Sequence, residues 1–269
     1  MELAPMALAY HADEGELQIN TDISEASALG VERALDLFFG YYHYPSALLR
    51  INSNGGQLAA LNYMIQTVER WRKEGRRIQT EATFRAASAA ALLLSLGEVG
   101  SRGTQRHTAL LYHHTRVGGG AGAITAGGAD HLAAMLQSKD RRLVTRLADH
   151  VAAGFGGPAA LAAEGRARCE LLQVRHASIN EALEGQASRS MPKWLRSVAA
   201  MYRECEARSS TAAHIKALAR RFEQDTSMDL REAYALGLID GIVGVPDLKP
   251  KAAAMVPVAV ETRPLKPSR

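Results

Sequence analysis

Apolar and polar positions change their spacing several times along the chain, and each change marks an expected element. Residues 16–20 (ELQIN) alternate as a short strand does. Residues 22–39 follow a helical spacing, with Asp22 or Ser24 as its cap and Ala28, Val31, Ala34, Leu35 and Phe38 as its buried stripe. Residues 46–52 (SALLRIN) make a short, mostly apolar run of the kind a buried strand shows. Ser53-Asn54-Gly55-Gly56 breaks that run, and 57–73 read as an amphipathic helix. The strand–turn–helix pattern then returns. Residues 77–82 (RIQTEA) read as a strand, and 86–96 as a helix so apolar that only burial suits it. A turn region follows at 97–103, and a third strand at 107–113 (HTALLYH). Beyond it lies a glycine-rich loop with Gly118, Gly119, Gly120, Gly122, Gly127 and Gly128.

From residue 129 the spacing is helical almost to Asp225. Gly154, Gly156, Gly157 and Pro158 interrupt it, and a softer break spans 185–192. A short helix at 230–236 ends on Gly237, and 238–243 (LIDGIV) reads as a last strand. Residues 1–14 have no clear period and are expected to form a mobile arm. Residues 246–269, rich in Pro, Lys and Ala, are expected to be extended or disordered. Repeated β–α units followed by helices predict an α/β fold with a mainly parallel core sheet. The expected organisation is one domain over 1–245 and a tail over 246–269.

Composition adds little to this and excludes several classes. A chain of 269 residues, about half of them apolar, suffices for one large α/β domain. The formal charge is +4. Its basic clusters (Arg72, Lys73, Arg76, Arg77; Lys139, Arg141, Arg142) read as solvated faces rather than a nucleic-acid surface. Cys169 and Cys205 lie far apart without a CxxC partner, so neither a disulfide framework nor a zinc site is expected, and no cofactor is implied. No apolar run approaches the roughly 20 residues of a membrane span. The first ten residues lack the cationic start of a signal peptide, which makes the cytoplasm the expected location.

The candidate chemistry begins at Ser88, between a strand and an apolar helix. A hydroxyl there lies near the helix's positive end, where free N–H groups would stabilise an oxyanion. Read alone, Ser88 is better explained as a helix cap or a small helix residue. Gly55-Gly56 lets the backbone approach a ligand closely, and is also what a plain tight turn needs. His113 and His114 end an apolar strand and point to opposite faces, so one of them at most faces the helix start.

Taken together, these segments resemble the ClpP family of the crotonase-like superfamily. Ile51-Asn52-Ser53-Asn54-Gly55-Gly56 is similar to the family's Ile-Asn-Ser-Pro-Gly-Gly. Ala86-Ala87-Ser88-Ala89-Ala90-Ala91-Leu92-Leu93-Leu94 is similar to Ala-Ala-Ser-Met-Gly-Ala-Phe-Leu-Leu around the family's nucleophile. Gly97, Gly100 and Arg102 fall on its later landmarks. Asp225, Glu232-Ala233 and Gly237-Leu238-Ile239-Asp240 follow its C-terminal pattern.

The resemblance implies a ClpP/crotonase-like fold and serine endopeptidase chemistry on peptides or unfolded proteins. It implies Ser88 as nucleophile, His113 as general base, Asp225 as the residue that orients the histidine, and the N–H groups of Gly56 and Ala89 as the oxyanion hole. It also implies a homo-oligomer, a ring or stacked rings, fed by an AAA+ unfoldase. Two other readings stay open: a catalytically silent ring subunit or scaffold, and a crotonase-type acyl-CoA enzyme.

The chain departs from the pattern at Asn54, at Phe84-Arg85, at Ala90 and at His114-Thr115. The interval between His113 and Asp225 is also longer than the family's, which places an extra helical block at about 154–209. There Trp194, Leu195, Val198, Met201 and Tyr202 form an apolar stripe, read either as core or as a contact for a neighbouring subunit or partner.

Overall fold

A computed structural model of the chain describes residues 8–11, 13–116, 126–185 and 190–249. The glycine-rich residues 117–125 and residues 250–269 of the expected tail lie outside these; the tail's start, Pro246–Leu248, is a 3-10 turn with Leu248 buried rather than an extended segment. The core is one mixed sheet with the ladder order β1-β2-β3-β4-β5-β8. It comprises β1 (Leu8–His11), β2 (Glu16–Ile19), β3 (Ser46–Ser53), β4 (Arg77–Ala87), β5 (Arg102–Gln105), β6 (Ala109–Leu111), β7 (Ser227–Met228) and β8 (Gly241–Val243). All pairings are parallel except β1 with β2 and β6 with β7. The expected α/β class with a mainly parallel sheet is what the chain adopts.

The helices are α1 (Glu25–Leu35), α2 (Leu58–Lys73), α3 (Ala89–Ser95), α4 (Ala126–Phe155), α5 (Pro158–Val174), α6 (His176–Glu184), α7 (Lys193–Arg208), α8 (Ala212–Glu223) and α9 (Leu230–Ala235). Ser24 caps α1 through a reciprocal pair with Ser27, so the first-turn N–H groups find side-chain acceptors. Both faces of the central strands are covered. Leu17, Ile19, Leu49, Ile51 and Ile78 are essentially inaccessible, and so are Leu35, Leu61 and Leu94 from the helices.

Four more expectations need correction. Residues 8–11 are not part of an unstructured arm, because they pair antiparallel with β2 and screen its edge. The helix expected over 22–39 ends at Leu35 and passes into a wider π-helical turn at Asp36–Tyr41. The apolar segment expected as a helix from residue 86 is still strand through Ala87. Its alanines are small enough for either state, and pairing with β6 decides for the strand. The single strand expected over 107–113 is the shorter β6, and the region taken for a turn before it contains β5. Thus β4 carries two successive partners along one edge: β5 against Thr80–Ala82, then β6 against Arg85–Ala87.

Helices α5 to α7 pack beside this core rather than away from it. Gly165 lets α5 meet α7 so closely that a Cβ there would lie 2.2 Å from the Tyr202 ring. From α5, the buried guanidinium of Arg168 donates to the carbonyls of Tyr234 and Ile239 (3.1 and 2.8 Å) and to the Asp240 carboxylate (3.0 Å). The same carboxylate receives a two-pronged contact from Arg102 of β5, at 2.7 and 2.8 Å. Burial alone would push the Asp240 carboxyl up, but the two guanidiniums and the hydrogen bonds from Arg102 hold it well below the usual carboxylate range.

Candidate active site

Four elements converge on one cleft of about 530 Å³, lined by Gly56, Leu58, Leu61, Ser88, Ala89, Leu92, His113, His114, Arg116 and Leu143, among others. Ser88 stands at the end of β4. Its backbone is at φ 55°, ψ −125°, a conformation that L-residues rarely adopt, and its side chain makes no capping hydrogen bond to α3. The cap reading of Ser88 therefore does not hold. Strain of this kind costs on the order of 1–3 kcal/mol and persists only where neighbours impose it. The Ser88 N–H donates to the Leu111 carbonyl at 2.8 Å, which pins the turn to β6.

The glycine turn after β3 presses against the other side of the serine. A Cβ on Gly55 would lie 2.6 Å from the Ser88 Cβ and 2.5 Å from the Ala87 carbonyl, so only glycine fits. Gly56 forms an isolated parallel bridge with Ile23. The bonds of that bridge come from its neighbours: Ile23 N–H to the Gly55 carbonyl (2.6 Å) and Gln57 N–H to the Ile23 carbonyl (2.8 Å). The Gly56 N–H has no acceptor among the described residues. Ala89, as the first residue of α3, contributes one of the first-turn N–H groups that no helix satisfies internally. A register irregularity between Ile51 and Ser53 aims the turn at the cleft.

The histidine strand enters from the third side. Tyr112 points inward and is fully buried, stacked on Phe222 with its hydroxyl 2.6 Å from Ser95 Oγ; burial pushes its phenol up to about 12. The strand ends at Leu111, so alternation does not carry over to the histidines. His113 and His114 are both half-buried and both line the cleft, and the expectation that only one of them would face the helix start does not hold. The Nδ1 of His113 lies 2.6 Å from the His114 carbonyl. A carbonyl only accepts, so Nδ1 carries the proton and Nε2 is the basic nitrogen.

Asp225 and His113 lie just beyond the ends of two paired strands. The antiparallel ladder of β6 with β7 consists of Leu110↔Met228 and Leu111↔Ser227 and ends two residues short of both His113 and Asp225; the backbone of Asp225 is at φ 50°. The Asp225 carboxylate, however, is bound by Arg116, and both groups are largely exposed. The structure brings Ser88, His113, Gly56 and Ala89 to one cleft and leaves Asp225 at its edge, engaged elsewhere.

The sequence reading missed Asp140 altogether, and missed the partners of His114 and Arg85. Asp140 of α4 accepts from the Thr115 N–H at 2.7 Å and lies 3.5 Å from His114 Nδ1, which anchors the strand end. His114 also donates through Nε2 to the Ala219 carbonyl at 3.3 Å. Arg85 donates to the Asn54 side chain at 2.8 Å, so two of the departures from the family pattern bind each other. No periodicity signals such contacts, since they join segments far apart in the chain. Among the described residues no cluster of His, Cys, Asp or Glu is arranged to hold a metal ion, and no helix is long and apolar enough to cross a membrane.

The Clp protease family model matches residues 12–156, just over half of the chain. The chain is also similar to the ATP-dependent Clp protease proteolytic subunit 1 of Corynebacterium glutamicum, with 29% identity over 138 residues. The match covers 51% of this chain and 64% of that protein, so it spans a little under two thirds of the relative's length.

Proposed function

Because the chain belongs to the Clp protease family, we propose that it is a serine endopeptidase that cleaves peptides or unfolded proteins through an acyl-enzyme. Ser88 attacks the peptide carbonyl, and His113 takes its proton through Nε2 and returns it to the leaving amine. Asp225 orients the imidazole and stabilises its charged form. The N–H groups of Gly56 and Ala89 receive the oxyanion, each worth about 3 kcal/mol in the barrier.

The observation that carries this reading is the strained, uncapped Ser88 held between Gly55 and β6 in the cleft that His113 also lines. A serine needed only as a helix cap would have no reason to adopt that backbone. In keeping with the family, the active form is a homo-oligomer, a ring or stacked rings, in the cytoplasm and served by an AAA+ unfoldase. The domain spans 1–245, with an inserted helical block at about 154–209.

A second reading, a catalytically silent ring subunit, draws support from the Arg116 contact that occupies Asp225. A fluorophosphonate probe separates the two. The peptidase reading expects labelling of the wild type and none of Ser88→Ala. An assembled protein, verified by gel filtration, that takes no label would establish the silent subunit instead.

A further inference from the structure

Helices α7 and α8, joined by a short turn, diverge to leave a groove of about 580 Å³ that the catalytic cleft does not include. Its floor is apolar: Trp194, Val198 and Met201 from α7 and Leu236 beyond α9, with Ala213 and Ala217 keeping the α8 wall low. The spacing on each helix (194, 198, 201; 213, 217) places these side chains on the faces that look at each other. The rim carries three exposed cations alongside the carboxylate of Glu204. Lys193, Lys216 and Arg220 border the groove and are exposed, and none has an ion pair among the described residues. The acidic groups at the groove are already taken, Glu204 by Arg208 and Glu232 by Arg221.

We propose that this groove docks an acidic amphipathic helix of another protein. An apolar floor between two helices accepts the i, i+3, i+4 ridge of a third. Three uncompensated cations along the rim select carboxylates on its flanks and set its orientation. The chain's own C-terminal segment is the wrong occupant, since residues 251–269 carry Lys251, Arg263, Lys266 and Arg269 against a single carboxylate side chain, Glu261. The site lies outside the proposed catalytic machinery, and its fate is independent of whether Ser88 is active.

The test is fluorescence anisotropy on the full chain. The probe is a fluorescein-labelled helical peptide with leucines on one face and glutamates on either side. The expected result is saturable binding on the order of micromolar. It weakens by about tenfold or more in the double variant Lys216→Glu, Arg220→Glu, and weakens further with added salt. A matched peptide with lysines in place of the glutamates should not bind. Both substituted side chains are exposed, so circular dichroism should find the variant folded. The proposal is overturned by any of four results: no saturable binding, equal binding of the lysine peptide or of a peptide of residues 250–269, affinity unaffected in the double variant, or a change in that variant's oligomeric size, which would make a second copy the occupant.

Discussion

Arg116 holds the Asp225 carboxylate, the group proposed to orient His113. The ion pair is exposed, so its own strength is small, and a modest change in surroundings suffices to release the carboxylate. Arg116→Gln removes the competitor. Hydrolysis of a small peptide or ester is expected to rise several-fold, while Asp225→Asn lowers kcat on the order of 10⁴-fold, as loss of an orienting carboxylate does. Steady-state kinetics on both variants check this; an unchanged kcat in Arg116→Gln means the arginine does not compete for Asp225.

The backbone of Ser88 separates strain from chemistry. Ser88→Gly removes the nucleophile and also the penalty of φ 55°. It is expected to stabilise the fold by about 1 kcal/mol, a rise of about 2–4 °C in Tm for a domain of this size. Ser88→Ala loses the same activity and keeps the strain. A thermal melt that ranks alanine at or above glycine contradicts the strain.

Asp240 is expected to be the costliest carboxylate to remove. Asp240→Asn leaves Arg102 and Arg168 facing each other in the core without a counter-ion, a loss of about 3–5 kcal/mol. Chemical denaturation of the variant measures it. Because the folded carboxyl titrates below its unfolded value, its contribution is complete above the usual carboxylate range and disappears as the pH falls through and below that range.

A separate pH effect arises from His214. Its ring is fully buried, its only hydrogen-bond partner among the described residues is the Leu236 carbonyl at 2.9 Å, and burial pushes its pKa down to about 4. The unfolded chain takes up this proton near pH 6.5, so the unfolded state binds more protons between about 6.5 and 4. Stability should therefore decline as the pH falls across that window, by about 3 kcal/mol from this group, and stay level above it. His150, also pushed down to about 4 by burial and by the nearby Arg72 and Arg102, acts in the same direction. Urea midpoints from pH 4 to 7.5 follow the trend, and His214→Leu should make it shallower, with the share of His150 remaining.

Gly165 gives a purely steric prediction. Gly165→Ala drives a methyl group into the Tyr202 ring and is expected to destabilise by about 1–3 kcal/mol. The Tyr202 hydroxyl bond to the Ala235 carbonyl, at 2.7 Å, limits how far the ring can yield. Differential scanning calorimetry of the variant measures the loss.

The order of β–α units and the position of Ser88 were legible in the sequence because apolar runs and glycine turns signal them locally. The extent of β4 was not. Ala86 and Ala87 suit a helix as well as a strand, and only the distant β6 selects the strand. Likewise β1 was hidden because four residues are too few to show a period, and its pairing with β2 supplies the order. Only the family resemblance pointed to Ser88, His113, Gly56 and Ala89 together, and the four line one cleft. The sequence held no hint that Arg116 would reach Asp225, since an exposed arginine has no spacing rule to identify its partner.

Arg168 carries a consequence for anyone trimming this protein toward a minimal core. Deleting the segment from α5 to α7 would take away one of the two cations that neutralise Asp240 and three hydrogen bonds that shape the turn before β8. The block is stitched into the scaffold at an ionic knot. A shortened version would need a replacement cation at that spot, or it would emerge misfolded rather than merely smaller.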